Sequence, residues 1–312
     1  NKVISKIEYS YYADFTLGSI FKIYANLKLE RKNTRLVFEI NSYPTFYEKN
    51  SFKKIAKNIK NFLKLKKSFF KISHFIVNKI NIFFINYIYK KPILICSGKK
   101  LFNFKKFIKI INTHSMDYDF FLRDKNLLIE EKFVTFVDAY MENHPDLHLL
   151  KKNVVTKKNY FNSLNKFFST LEKNINNRVV VAIHPRAPFD DTRYQEREKF
   201  FYDTYNVFKK SKLVIMHGST SANFACILKK PIIFIYTNEM FQNYPRSVQN
   251  LKFFAKEFGT SAINIDEIQN IDFNNFLKID EKKYDEYFKK YISNNSDNNM
   301  LFWEKVIFEL NK

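Results

Sequence analysis

The sequence predicts an α/β protein with parallel, doubly wound sheets. Three observations predict it: short continuous apolar runs, helical spacing between them, and polar turns where the runs end. Runs such as VVVAI at residues 179–183 and PIIFIY at 231–236 suit strands covered on both faces. Intervening segments such as residues 160–171 carry apolar side chains at steps of three and four. Alternation with short connections is the pattern of a parallel sheet flanked by helices.

Taken in order, the second half is expected to form strands at 133–137, 179–183, 213–216, 231–236 and 262–265. Helices are expected at 160–171, 200–208, 223–228 and 247–258. In the first half Lys and Asn interrupt every period. Strands are nevertheless expected near 4–9, 35–40, 93–96 and 107–111, and helices at 17–29 and 52–65. A chain of 312 residues with 46% apolar content exceeds the usual size of one domain. Two domains are therefore expected, 1–125 and 126–312, divided in the polar stretch 123–132. The tail from 284 to 310 reads as helices that return to the first domain.

The net charge of +22 favours partners carrying phosphate or carboxylate through a long-range field. No zinc-finger spacing, RNP-like aromatic motif or basic heptad region accompanies the charge, so nucleic acid is not expected as a partner. Cys96 and Cys226 lie inside apolar runs and read as buried thiols of a reducing compartment. No signal-peptide pattern is present, which points to the cytoplasm. The longest apolar candidate for a membrane span, residues 72–89, is broken by His74, Asn78, Lys79, Asn81 and Asn86. Residues 53–91 mix Lys with Phe and Ile, which fits either a basic surface laid on anionic lipid or an ordinary core with a solvated Lys face.

Four segments carry chemistry. In AIHPRAPFDD a strand ends at Ile183 and is followed by His184, Pro185 and Arg186. Imidazole and guanidinium at the carboxyl end of a strand suit a phosphate, with His184 also placed to protonate a leaving oxygen. In LVIMHGSTSANFA, the residues His217, Gly218, Ser219, Thr220 and Ser221 put small hydroxyls and backbone N–H groups at a helix start, an anion site. The two strands are expected to be neighbours, so that both exits open on one crevice. In FVTFVDAYMENHPDLHLL a strand delivers Asp138, a general base or a ligand for sugar hydroxyls. In INTHSMDYDFF, the residues His114, Asp117 and Asp119 are expected at the end of the first domain, facing the second across a cleft. Asp14, in YYADFTLGS, is an alternative base. His144 with His148 is a weak metal pair lacking further ligands.

His184-Pro185 followed by Ser219-Thr220-Ser221 resembles the motif pair of bacterial GT-B transferases that use CMP-activated acidic sugars, the sialyltransferase-like and Kdo-transferase-like enzymes. The resemblance covers about residues 133–240. It implies a GT-B-like fold of two Rossmann-like domains facing across a cleft. It also implies that His184 and the 219–221 hydroxyls contact the CMP phosphate, and that an inverting transfer uses an acidic base. The acidic motif ending in Gly that supplies the base in several such families has no clear equivalent, so Asp117, Asp138 and Asp14 compete. VDAYMENHPD also looks like proteins of O-antigen and capsule loci, which implies lipopolysaccharide or capsule polysaccharide biosynthesis. The implied partners are a nucleotide-sugar donor, a glycan or lipid-linked glycan acceptor, and an anionic membrane at the inner face of the inner membrane. No cofactor or metal is expected, because helix dipoles and cationic side chains can neutralise phosphate. The competing readings are a UDP- or GDP-sugar transferase, a sugar-nucleotide epimerase, and a non-catalytic membrane-surface binding protein.

Overall fold

A computed structural model describes residues 8–12, 34–40, 93–98, 109–124, 132–144, 154–188, 192–269, 271–293 and 299–312. The expected helices at 17–29 and 52–65, the Lys- and Phe-rich segment 53–91, Asp14 and His148 lie outside these residues. The chain divides into two compact units. One runs to Ser115 and takes up Ser293–Lys312 again, and the other is built on Met116–Ile292. The division thus falls ten residues before the expected seam, and the last helix belongs with the first unit.

The first unit holds a parallel sheet in sequential order, β1 (Glu8–Tyr12), β2 (Thr34–Ile40), β3 (Ile93–Ser97) and β4 (Lys109–Thr113). Ile93 and Ile95 of β3 and Ile111 of β4 pack with Phe302 and Val306 of the last helix, Phe302–Leu310. A step of four on that helix puts both side chains on one face. His114, fully buried at the end of β4, sets its ring nitrogens against the carbonyls of Ser115 and Met300, each at 2.9 Å. Cys96 here and Cys226 in the second unit are buried free thiols, as the sequence predicts.

The second unit opens with helix α1 (Met116–Arg123) and then alternates β5 (Phe133–Val137), α2 (Lys157–Ile175), β6 (Val179–Ile183), β7 (Lys199–Phe201), α3 (Thr204–Lys209) and β8 (Ser211–Met216). It continues through α4 (Ala222–Ile227), β9 (Ile232–Tyr236), α5 (Asn238–Asn243), α6 (Pro245–Glu257), β10 (Ala262–Asn264) and α7 (Glu281–Tyr287). All six strands are parallel, in the order β10-β9-β8-β5-β6-β7. Counted from its own first strand, this sheet reads 3-2-1-4-5-6, the doubly wound order of nucleotide-binding folds.

The sequence specifies this sheet through period two. On β8, Leu213 and Ile215 join a core on one face with Phe136, Phe167 and Phe168. Val214 and Met216 join the opposite core with Phe234, Phe254 and Tyr287. Helix α2 buries Tyr160, Phe161, Leu164, Phe167, Phe168, Leu171 and Ile175, a stripe at helical spacing. Each such large apolar side chain contributes on the order of 2 kcal/mol by leaving water.

Helix α1 is not among the expected elements, and two further elements differ from expectation. Residues 200–208 were expected as one helix, but Lys199–Phe201 pairs with β6 as an edge strand and Tyr202, at φ 59°, breaks the chain before α3. Helix α5 follows β9 without an apolar stripe to announce it. Thr237 caps it, accepting from the Met240 N–H at 3.2 Å.

Candidate nucleotide site at the carboxyl edge of the second sheet

Parallel strands expose their next loops at one edge, and a crevice forms where the winding direction reverses. Here β5 connects toward β6 on one side and β8 toward β9 on the other, so the reversal lies between the exits of β5 and β8. Asp138 leaves β5, His184 to Arg186 leave β6, and His217 to Ser221 leave β8. The sequence expectation of neighbouring β6 and β8 is corrected: β5 runs between them, and Asp138 stands between the two motifs.

Asp138 has a fully buried side chain. Its Oδ1 accepts from the Tyr140 N–H at 2.7 Å, and its Oδ2 accepts from Arg193 Nη2 at 3.1 Å and the His184 N–H at 3.4 Å. Arg193 also donates to Glu142, and its guanidinium lies 5.1 Å from the Tyr140 ring centroid. Burial raises the Glu142 carboxyl above its ordinary range, against the pull of Arg193.

His184 is half-buried, its ring stacked on Tyr140 (centroids 5.9 Å, 18° between planes) and met edge-on by His144 at 5.7 Å. The Arg186 N–H donates to His184 Nδ1 at 3.2 Å. Nδ1 is therefore the acceptor, and the neutral ring carries its proton on Nε2. Burial lowers the His184 pKa, with His144, Arg186 and Arg193 pushing the same way and Asp138 opposing them. Pro185 and Arg186 are exposed, and Tyr202 donates its hydroxyl to the Pro185 carbonyl at 3.0 Å. Tyr140 (φ 49°) and Tyr202 (φ 59°), flanking this exit, both hold left-handed backbone. Bulky residues pay for that conformation, and such strain gathers at functional sites.

His217 is buried, with Nδ1 donating to the Ile235 carbonyl at 2.7 Å and Nε2 accepting from the Tyr160 hydroxyl at 2.7 Å. Burial pushes its pKa down to about 4. Both ring nitrogens are engaged within the fold, so His217 supports the turn. Gly218 and Thr220 are exposed, and Ser219 and Ser221 half-buried. The expected helix-start amides are largely used within the turn: the N–H groups of Ala222, Asn223 and Phe224 donate to the carbonyls of Ser219, Thr220 and Ser221. Ser221, without a side-chain cap bond, holds the N-cap position, and Ser219 Oγ accepts from the Ser221 N–H within the turn at 3.2 Å. The turn offers hydroxyl groups above all.

Asp117 is corrected in place. It sits in the first turn of α1, inside the second unit, and accepts from Asn223 Nδ2 at 2.7 Å. Asn223 in turn accepts from the Tyr287 hydroxyl at 2.9 Å. Burial raises the Asp117 carboxyl, with Asn223 opposing. Asp117 thus stands beside the 219–221 turn, while Asp138 and His184 form a second group around Arg193.

The sequence reading missed Tyr140, Glu142, Tyr160 and Arg193. Tyr160 read as one more apolar position of its helix, and each of the four acts through a tertiary contact that leaves no mark in the local sequence. It also did not foresee that Glu239 fills the start of α2, accepting from the Thr156 N–H at 2.7 Å and Asn159 Nδ2 at 3.1 Å. A cavity of about 400 Å³ lined by Glu172, Arg178, Val179 and Arg197 opens at the amino ends of β6 and β7, the edge opposite His184. Among the described residues no group of His, Cys, Asp or Glu is arranged to hold a metal ion, and no helix is long and apolar enough to cross a membrane.

Fold and site define a class: an α/β protein of two units, each with a parallel sheet, the second in the doubly wound order of nucleotide-binding folds with polar residues at its switch point. Neither a protein-family model nor a curated protein sequence matches the chain. Among solved structures it is similar to the wall teichoic acid polymerase TagF, at 12% identity over 90% of this chain and 67% of that one, with a TM-score of 0.41. It is similar to the Methanocaldococcus jannaschii UDP-GlcNAc 2-epimerase at 11% identity, 88% and 80% coverage and a TM-score of 0.40. The glycotransferase of kitacinnamycin gives 7% identity, 98% and 77% coverage and a TM-score of 0.43.

Proposed function

We propose that the protein is a glycosyltransferase that takes a nucleotide-activated sugar at the switch point of the second sheet. A CMP-activated acidic sugar of the nonulosonic or Kdo type is the proposed donor, and a bacterial surface glycan the acceptor. One observation carries the reading: the sheet has the nucleotide-binding strand order, and its switch point is bordered by the 218–221 hydroxyl turn with His184 and Arg186 one strand further on. The donor class itself rests on the His184-Pro185 and Ser219-Thr220-Ser221 resemblance.

In this reading His184 donates from Nε2 to the leaving phosphate, Arg186 supplies positive charge, and the hydroxyls of Ser219, Thr220 and Ser221 complete the cradle. These groups neutralise the developing charge in place of a divalent ion. Asp117 is the proposed base: its raised pKa suits proton abstraction from an acceptor hydroxyl, with the phosphate leaving from the opposite face and inversion at the anomeric carbon. Asp138, with both oxygens engaged, serves as an anchor. The net charge of +22 supports work at the anionic inner face of a membrane.

The test is release of free nucleotide from a panel of CMP-, UDP- and GDP-sugars, with thermal shifts by the three nucleotides alongside. CMP release from an acidic-sugar donor, abolished in His184→Ala, is the expected result. Stabilisation and release with UDP or GDP alone overturn the donor assignment, and no release from any donor overturns the transferase reading.

A further inference from the structure

Arg193 is almost wholly buried, its side chain 7% exposed, yet it reaches the half-buried His184 by two independent routes. The first runs through Asp138, whose Oδ2 accepts from both Arg193 Nη2 and the His184 backbone N–H. The second runs through Tyr140: the guanidinium lies 5.1 Å from that ring, and the ring stacks on the His184 imidazole at 5.9 Å. Tyr140 holds φ 49° with its N–H fixed by Asp138 Oδ1 at 2.7 Å. A tyrosine keeps such a conformation only where its surroundings over-determine it.

We infer that Arg193 is a positioning residue for His184, clamping Asp138 and the Tyr140 ring so that the imidazole leaves β6 with Nδ1 turned toward the Arg186 amide and Nε2–H presented outward. The inference rests on the proposed function only for what Nε2–H acts upon. Arginine is required for geometric reasons. Its planar fork spans the carboxylates of Asp138 and Glu142 at once while a face lies on an aromatic ring. Lysine, a point charge on a flexible stem, can satisfy one carboxylate at a time and leaves the ring unsupported. The groups that face His184 are the Tyr140 ring, Asp138, His144, Arg186 and Arg193. Arg193 touches both Asp138 and the Tyr140 ring.

The test follows the His184 imidazole by NMR titration in the full chain, its signal assigned by loss in His184→Gln, for wild type, Arg193→Lys, Arg193→Gln and Tyr140→Leu. In Arg193→Gln a positive neighbour disappears and Asp138 loses its counter-charge, so the His184 pKa rises by roughly half a pH unit or more. In Arg193→Lys and Tyr140→Leu the fold is retained, the His184 resonances move, and donor turnover falls about a hundredfold with KM changed less than about threefold, the cost of a displaced donor. Should Arg193→Gln fail to fold, the other two variants decide the matter. Folded variants with His184 resonances and titration identical to wild type overturn the inference. Wild-type protein that turns over no donor overturns the proposed function, while the titration still decides whether Arg193 positions His184.

Discussion

The Tyr160 hydroxyl donates to His217 Nε2 at 2.7 Å and thereby fixes the imidazole that ends β8 as the neutral tautomer with its proton on Nδ1. Helix α2 and strand β8 are locked together at this contact, directly beneath the turn of residues 218–221. Folded His217 has a pKa of about 4 against about 6.5 for the free side chain. Between those values the unfolded chain binds the extra proton, so the contribution is fully present above about pH 6.5 and is lost as pH falls toward 4. At about 1.4 kcal/mol per pH unit the loss amounts to roughly 3 kcal/mol. Denaturant unfolding at pH 7 and pH 4.5 measures it, and His217→Gln is expected to flatten the difference.

Tyr160→Phe leaves His217 Nε2 buried without its donor. A cost of about 1–3 kcal/mol is expected, read as a lowered urea midpoint with unchanged slope. An unchanged midpoint contradicts the lock.

Asp117→Asn keeps an oxygen for Asn223 Nδ2 and removes the titrating carboxyl. Turnover is expected to fall on the order of a hundredfold or more while the unfolding midpoint stays within a few degrees. Retained turnover transfers the role of base elsewhere.

Glu239→Ala strips the acceptor from the Thr156 N–H and the Asn159 amide at the start of α2. Although partial burial opposes it, the Thr156 N–H leads the contacts that hold the Glu239 carboxyl below its ordinary range. Loss of about 1 kcal/mol is expected, measured by thermal unfolding, and Glu239→Gln is expected to restore part of it.

Gly259 follows α6 at φ 71°, and a Cβ there meets Asp280 Cβ at 2.7 Å, the residue that caps α7 by accepting from the Lys283 N–H at 3.1 Å. Gly259→Ala combines left-handed strain with this clash. Destabilisation of about 2 kcal/mol or more is expected by denaturant unfolding.

The central strands of the second sheet were legible because they are buried on both faces, so that VVVAI is an unbroken apolar run and FVTFV is interrupted only by Thr135. The edge strand Lys199–Phe201 was not: its three residues are only half-buried, and a helical period runs through them as readily. His184 and the hydroxyl turn were legible as polar residues at strand ends. Which strands are neighbours was not, since order in a sheet is set by crossovers and leaves no local mark. For the same reason the ion pair of Arg193 with Asp138, 55 residues apart, was invisible until the chain was folded. His217 read as an anion ligand because its residue type suits one, while the carbonyl of Ile235 that turns it inward belongs to the next strand.

The return of residues 293–312 to the first unit fixes an order of events during synthesis. Ile93, Ile95 and Ile111 are translated early, whereas Phe302 and Val306, which pack against them, emerge only after the whole of Met116–Ile292. Ile93, Ile95 and Ile111 therefore wait for this partner helix through the making of the second unit, and a chain released before Phe302 is added lacks the contact.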